Sequence, residues 1–202
     1  GGAREWLRAV AAEIDLVAAE GLFALAPVLR TLYVGGGTPS LLGPEAMAGL
    51  ADLLGSARIS DPALEWTAEA NPESFSPETA AAWRAAGVNR LSLGLQTFHE
   101  PALRWMGRLH GAEGPPRALR AARGAGIENV SLDLIFGLPE RLGRDLDDDL
   151  ERILALEVPH VSLYGLTVEP ATALGRAVRE GREEPVDEER YRQEFLRAAE
   201  VV

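Results

Sequence analysis

The chain of 202 residues has no cysteine. That single absence removes disulfides, thiolate metal sites and thiol nucleophiles from this segment. No apolar run approaches the roughly 18 residues of a membrane span, and no signal-like amino terminus is present, so the expectation is a soluble, cytoplasmic protein. The net charge is −11 and no Lys/Arg cluster stands out, which argues against nucleic acid as a partner. The three histidines, His99, His110 and His160, lack metal-ligand spacing. No serine sits in a Gly-x-Ser-x-Gly elbow, so acyl-transfer chemistry is not expected either. A run of three glycines, Gly35-Gly36-Gly37, has neither the Lys-Ser/Thr pair of a phosphate loop nor the third spaced glycine of a dinucleotide fingerprint. The chain starts Gly1-Gly2 without Met and stops at Val201-Val202 inside a helical pattern, so the sequence reads as a fragment.

What is present is a chain 47% hydrophobic, enough to bury a sizeable core as one domain, residues 1–202. Trp6, Val10, Ile14 and Val17 mark an amphipathic helix over 3–20 that Gly21 can stop. The apolar run Leu32-Tyr33-Val34 then breaks into Gly35-Gly36-Gly37-Thr38-Pro39-Ser40. A strand ending in such a turn lets a ligand approach the backbone closely. Further strands are expected at 64–70, 90–96, 130–136 and 161–166. Helices are expected from Pro44 to Leu54, from Ser76 to Gly87, at 101–106, at 116–123, over 145–156 and over 187–202. The acidic Asp145, Asp147, Asp148 and Asp149 open one of these helices, where they suit the helix dipole better than a metal.

Leu91-Ser92-Leu93-Gly94-Leu95, Val130-Ser131-Leu132-Asp133-Leu134 and Val161-Ser162-Leu163-Tyr164-Gly165 superpose without gaps as strands in the same register. The spacing between them is that of βα units, which build either a barrel or a doubly wound parallel sheet. Tyr33 and Thr67 take the repeat position of the serines. Alternation then collects Tyr33, Gly35, Thr67, Glu69, Ser92, Gly94, Gln96, Ser131, Asp133, Ser162 and Tyr164 on one face. Val34, Ala68, Leu93, Leu95, Leu132, Leu134 and Leu163 fall on the other, suited to lie under helices. A doubly wound sheet needs both faces apolar. The expected fold is therefore α/β, a partly open barrel with a polar lumen, in which Glu69, Gln96 and Asp133 sit toward the carboxyl ends of their strands, where barrels place ligand groups. Buried carboxylates call for a polar or cationic ligand, or for donors from lumen serines and backbone amides. Arg108, set after the fourth strand, can offer a guanidinium fork to a ligand carboxylate or stand as a solvated arginine.

Five ordered stretches carry a family resemblance: Gly35-Gly36-Gly37-Thr38-Pro39-Ser40, Glu69-Ala70-Asn71-Pro72, Gly87 to Gln96, Gly107-Arg108-Leu109-His110 and Asp133 to Pro139. Together they resemble the radical S-adenosylmethionine (radical SAM) proteins related to oxygen-independent coproporphyrinogen III oxidase. Glu-Ala-Asn-Pro at 69–72 and Leu166-Thr167-Val168-Glu169-Pro170 look more like the heme chaperone, HemW-like branch. The resemblance implies an open six-stranded (β/α) barrel of TIM type, of which five parallel strands are present and the first is missing. It also implies that Gly36, Gly37, Thr38, Glu69, Gln96, Arg108 and Asp133 contact S-adenosylmethionine. The family's first strand leads into a Cys-x3-Cys-x2-Cys loop that holds a [4Fe-4S] cluster. That loop is absent here, so this segment alone is expected to be inactive, with no catalytic or metal-ligating residue assigned. In full length the resemblance implies heme as a further ligand and heme-acceptor proteins as partners; it leaves the heme ligand open, with His110 and Tyr164 as candidates. Peripheral membrane contact stays compatible with it. The alternatives are a coproporphyrinogen dehydrogenase and a cluster-free binding barrel.

Overall fold

The structure, a computed structural model, describes residues 2–21 and 24–202; Gly1, Leu22 and Phe23 lie outside it. Five strands form one open parallel sheet in the order β1-β2-β3-β4-β5: β1 (Thr31–Val34), β2 (Glu65–Ala70), β3 (Arg90–Gln96), β4 (Asn129–Phe136) and β5 (His160–Gly165). Sequence order and spatial order coincide. A doubly wound sheet reverses its strand order at a switch point, so this order places the chain with the partial barrels. The helices are α1 (Gly2–Glu20), α2 (Glu45–Leu54), α3 (Pro77–Ala86), α4 (Glu100–Trp105), α5 (Gly114–Gly124), α6 (Leu146–Leu154), α7 (Ala173–Arg179) and α8 (Glu188–Val201). The chain divides into two compact units, one of Gly1–Leu93 with Arg117–Val130, the other of Gly94–Pro116 with Ser131–Val202.

In the first unit, β2 buries Trp66, Thr67, Ala68 and Ala70, while Glu69 stays half-buried. Leu91 and Leu93 of β3 continue the same buried face. Met47 and Leu50 of α2 and Ala80 and Trp83 of α3 complete this core, and Trp66 and Trp83 are both fully buried. Burial of one such side chain is worth roughly 1.5–3 kcal/mol. α3 starts where Ser76 accepts a hydrogen bond from the Thr79 amide at 3.1 Å, with Pro77 at the first helical position. The Trp6, Val10, Ile14 and Val17 stripe of α1 is half-buried, and no residue of that helix is fully buried.

In the second unit, Leu132 and Leu134 of β4 are fully buried while Asp133 is half-buried. α8 carries Tyr191 and Phe195 against Phe136, with ring centroids 4.9 and 5.8 Å apart. A side chain at Gly165 would collide with the Tyr191 ring, so the end of β5 must be glycine for α8 to sit there. α7 was not expected. It has seven residues with Gly175 among them, so its helical propensity is weak, and it is started by the Thr172 hydroxyl accepting from the Gly175 amide at 3.0 Å.

Among β1–β3, and separately between β4 and β5, the pairing keeps the expected residues on one face, and the register differs. Tyr33 stands opposite Thr67 as expected, but Ser92 stands opposite Glu69, Ser131 opposite His160, and Ser162 opposite Asp133. The serines of the repeat are thus displaced by two residues from the expected common level. A tilt of barrel strands staggers neighbouring registers, and a shift of two keeps every side chain on its face.

Candidate functional site

In the first unit, two stretches 33 residues apart in sequence interlock. The Gly36 amide donates to Glu69 Oε2 at 3.1 Å, and the Tyr33 hydroxyl donates to Glu69 Oε1. Asn71 Nδ2 donates to Thr38 Oγ1 at 3.4 Å, and the Asn71 amide donates to Ser40 Oγ at 3.1 Å. Ser40 Oγ also meets Ser74 Oγ at 2.6 Å. Ser40 is buried and Thr38 half-buried, whereas Gly35, Gly36 and Gly37 are exposed. The Glu69 carboxylate is oriented by two donors and keeps lone-pair capacity for a cationic ligand group.

The three glycines are glycine for three different reasons. A Cβ at Gly35 would stand 2.5 Å from the Tyr33 ring and 2.6 Å from the Glu69 carboxyl carbon. Gly36 has φ +85°, where an L side chain is strained, and nothing lies near its would-be Cβ. Gly37 has neither constraint: its φ is not positive and no atom lies within 4 Å of a Cβ built on it. Its freedom from side-chain atoms serves no packing need of the protein and leaves room for an approaching ligand.

In the second unit, Gln96 ends β3 with φ +69° and is buried, at 7% exposure. Only it and Glu157 have positive φ among the described non-glycine residues. Backbone strain of this kind, costing about 1–3 kcal/mol, persists where surrounding structure enforces it and clusters at ligand sites. Asp133 lies on the face opposite the buried Leu132 and Leu134, in register with Ser162. Arg108 follows the third strand, not the fourth, because α4 and α5 both come between β3 and β4. It is half-buried, and its amide donates to the Leu103 carbonyl at 2.9 Å across the turn that closes α4.

The expected dipole role of the aspartates is only part of what they do. Asp145 caps α6 by accepting from the Asp147 amide at 2.9 Å, Asp147 pairs with Arg197 at 2.6 Å, and Asp148 lies 3.9 Å from Arg152. Asp149 is buried: it accepts from Thr97 Oγ1 at 2.6 Å and the Phe98 amide at 2.7 Å, and Arg144 Nε lies 3.9 Å away. Burial pushes its carboxyl up, against the pull of Thr97, Phe98 and Arg144. Arg144 Nη2 continues to Glu194 Oε2 at 3.0 Å. In a separate cluster, Glu183 accepts from Arg141 and from Trp105 Nε1 at 2.9 Å, and the Arg141 hydrogen bonds hold its carboxyl below the usual range. Residue types alone did not single out Tyr33, Asp149, Arg144 or Glu183 as site or support residues.

The histidines take places suited to structure. His160 Nδ1 lies 2.8 Å from buried Ser131, His99 Nε2 lies 2.8 Å from the Leu142 carbonyl, and His110 is buried beside Gly111. Tyr164 is 53% exposed. Among the described residues no helix is long and apolar enough to cross a membrane.

Residues 9–153 match the family model of the Radical SAM superfamily. The chain is 43% identical over 176 residues to the heme chaperone HemW of Mycobacterium tuberculosis, covering 87% of this chain and 44% of that protein. It is 38% identical over 180 residues to HemW of Bacillus subtilis, covering 88% of this chain and 46% of the relative. The chain thus spans less than half the length of these curated relatives. A solved structure of coproporphyrinogen III oxidase (HemN) from Escherichia coli, a radical SAM enzyme, superposes with a TM-score of 0.78 at 25% identity, covering 98% of this chain and 44% of the other. A strand order without reversal, a glycine turn interlocked with Glu69 and Asn71, and a family match across most of the chain agree: this chain belongs to the Radical SAM superfamily.

Proposed function

We propose that this chain is the cofactor-binding part of a HemW-like heme chaperone. In this reading Gly36, Gly37, Thr38 and Glu69 receive the methionyl end of S-adenosylmethionine, and Gln96, Arg108 and Asp133 make further contacts with the same cofactor. The observation that carries it is the open space over Gly37 next to a carboxylate already oriented by Tyr33 and Gly36. Glu69 suits the ammonium of a methionyl group, and the Arg108 guanidinium suits its carboxylate. The strain and burial of Gln96 support its own reading as a cofactor contact. All of residues 1–202 are assigned to one partial-barrel domain in this proposal.

The residues of this chain fit the cofactor, and they do not fit a [4Fe-4S] cluster, because no cysteine is available to hold it. The cluster and its ligands belong, in this proposal, to the full-length protein. Cysteines outside this chain would hold that cluster, and the chemistry it would supply is one-electron reduction of S-adenosylmethionine. What this chain's own residues contribute is binding and orientation. Heme, heme-acceptor proteins and a cytoplasmic location complete the proposal, and they rest on the likeness to HemW.

The test uses the full-length, cluster-loaded protein. Binding of S-adenosylmethionine, uptake of heme, and transfer of that heme to an apo-acceptor without consumption of coproporphyrinogen III are the expected results. Formation of protoporphyrinogen would replace the chaperone reading with the dehydrogenase, a reading favoured only by the structural likeness to HemN.

A further inference from the structure

A glutamine does not hold a left-handed backbone without help, and the help for Gln96 comes from the next two residues. The Thr97 amide donates to the Leu95 carbonyl at 3.0 Å, closing a tight turn around Gln96. Thr97 is fully buried; its hydroxyl donates to Asp149 Oδ2 at 2.6 Å and accepts from the His99 amide at 3.0 Å. The Phe98 amide donates to the other Asp149 oxygen at 2.7 Å. One carboxylate thus clamps two successive residues directly after Gln96.

Asp149 is in turn held in place. Its side chain and that of Arg144 are each 1% exposed, with Arg144 Nε 3.9 Å from Asp149 Oδ2. Arg144 Nη2 donates to the Ile135 carbonyl of β4 at 3.3 Å and to Glu194 Oε2 at 3.0 Å. Glu194 also accepts from the Gly137 amide at 2.8 Å, just past β4, and from Arg190 Nε at 3.1 Å. The chain of contacts runs from the end of β3 through α6 to the end of β4 and on to α8. Buried ion pairs are often no more stabilising than apolar packing of the same volume, so their use here asks for a positional reason.

We infer that Asp149 is a positioning residue for Gln96: through Thr97 and Phe98 it fixes the left-handed turn that aims the Gln96 amide at the cofactor. The inference rests on the reading of Gln96 as an S-adenosylmethionine contact. A purely structural clamp would cost stability and leave affinity alone.

The test measures S-adenosylmethionine affinity by equilibrium dialysis in the full-length, cluster-loaded protein, with urea unfolding in parallel. Thr97→Val removes the hydroxyl at nearly constant volume and should weaken binding about tenfold, as should Gln96→Ala. Thr97→Ser keeps the hydroxyl and should bind within about twofold of wild type. Because Thr97 acts through Gln96, the double variant should lose little beyond either single one. Asp149→Asn keeps one carbonyl oxygen and should fall between wild type and Thr97→Val, which covers the case in which the valine variant does not fold. Wild-type affinity in a folded Thr97→Val or Asp149→Asn, or a double variant that loses the product of the two single effects, overturns the inference while the cofactor reading stands. No binding by wild type, or full binding by Gln96→Ala, overturns the cofactor role of Gln96 and the inference with it.

Discussion

Replacing the three glycines one at a time by alanine separates a ligand-binding turn from a turn that merely joins a strand to the next segment. At Gly35 the added methyl meets the Tyr33 ring at 2.5 Å and the Glu69 carboxyl carbon at 2.6 Å. Both must move, and since Tyr33 is exposed and the Glu69 carboxyl ends a flexible side chain, the cost is chiefly the lost Tyr33–Glu69 hydrogen bond, about 1 kcal/mol. At Gly36 the methyl has room, and the cost is conformational: φ is +85°. A left-handed L residue costs about 1–2 kcal/mol, partly offset by about 0.4–1 kcal/mol from a stiffer unfolded chain. Only that second effect operates at Gly37, where no positive φ and no neighbour within 4 Å oppose the substitution. Gly37→Ala should therefore leave stability unchanged or raise it by up to about 1 kcal/mol. If the open space is the cofactor's, the same variant should bind S-adenosylmethionine at least about tenfold more weakly, a loss of about 1.4 kcal/mol. Urea unfolding at constant m-value measures the first quantity, and equilibrium dialysis measures the second. Gly37→Ala with wild-type affinity would return Gly35-Gly36-Gly37 to the status of a plain turn.

Tyr33→Phe removes the hydroxyl that donates to Glu69 Oε1 and leaves the ring in place. It should cost no more than about 1 kcal/mol in unfolding but weaken cofactor binding several-fold; unchanged dialysis isotherms would show that Gly36 alone orients the carboxylate. Asp149→Ala leaves Thr97 Oγ1 and the Phe98 amide without their acceptor and Arg144 with Glu194 and the Ile135 carbonyl. Removal of one partner from a buried pair costs about 3–5 kcal/mol, and since Glu194 still compensates Arg144 the lower end is expected; a drop below about 1 kcal/mol would refute the network. Glu183 has its carboxyl held down by Arg141, with Trp105 also donating. Its folded pKa lies below its unfolded one, so its contribution to stability is present above the ordinary glutamate range near about 4.3 and is lost as pH falls through the depressed value. The stability gap between wild type and Glu183→Gln should therefore close on acidification, and a gap independent of pH between 7 and 3 would contradict the pairing.

Much of this was legible in the sequence because it is local. Alternation of Ser92, Ser131 and Asp133 with leucines places those residues on a face, and Ser76-Pro77 or Asp187 start helices through contacts within three residues. The register shift by two residues was not legible, since a repeat aligns sequence positions and tilt decides which of them stand opposite. Nor was the pairing of Arg141 with Glu183 or of Arg144 with Glu194, 42 and 50 residues apart, because an arginine's partner leaves no trace at its own position. Asp149 is a different case. By charge it belongs with Asp145, Asp147 and Asp148 at a helix start, yet the buried residues of α6 are Leu146, Asp149, Leu150 and Ile153. Those positions are three and four apart, the spacing of one helix face. An aspartate on the apolar stripe of an amphipathic helix cannot be a solvated dipole partner; its burial demands donors, and here they come from the turn that holds Gln96. The spacing of Asp149 from Leu146 and Ile153 puts it on that face, a signal that the grouping of the four aspartates by charge left unused.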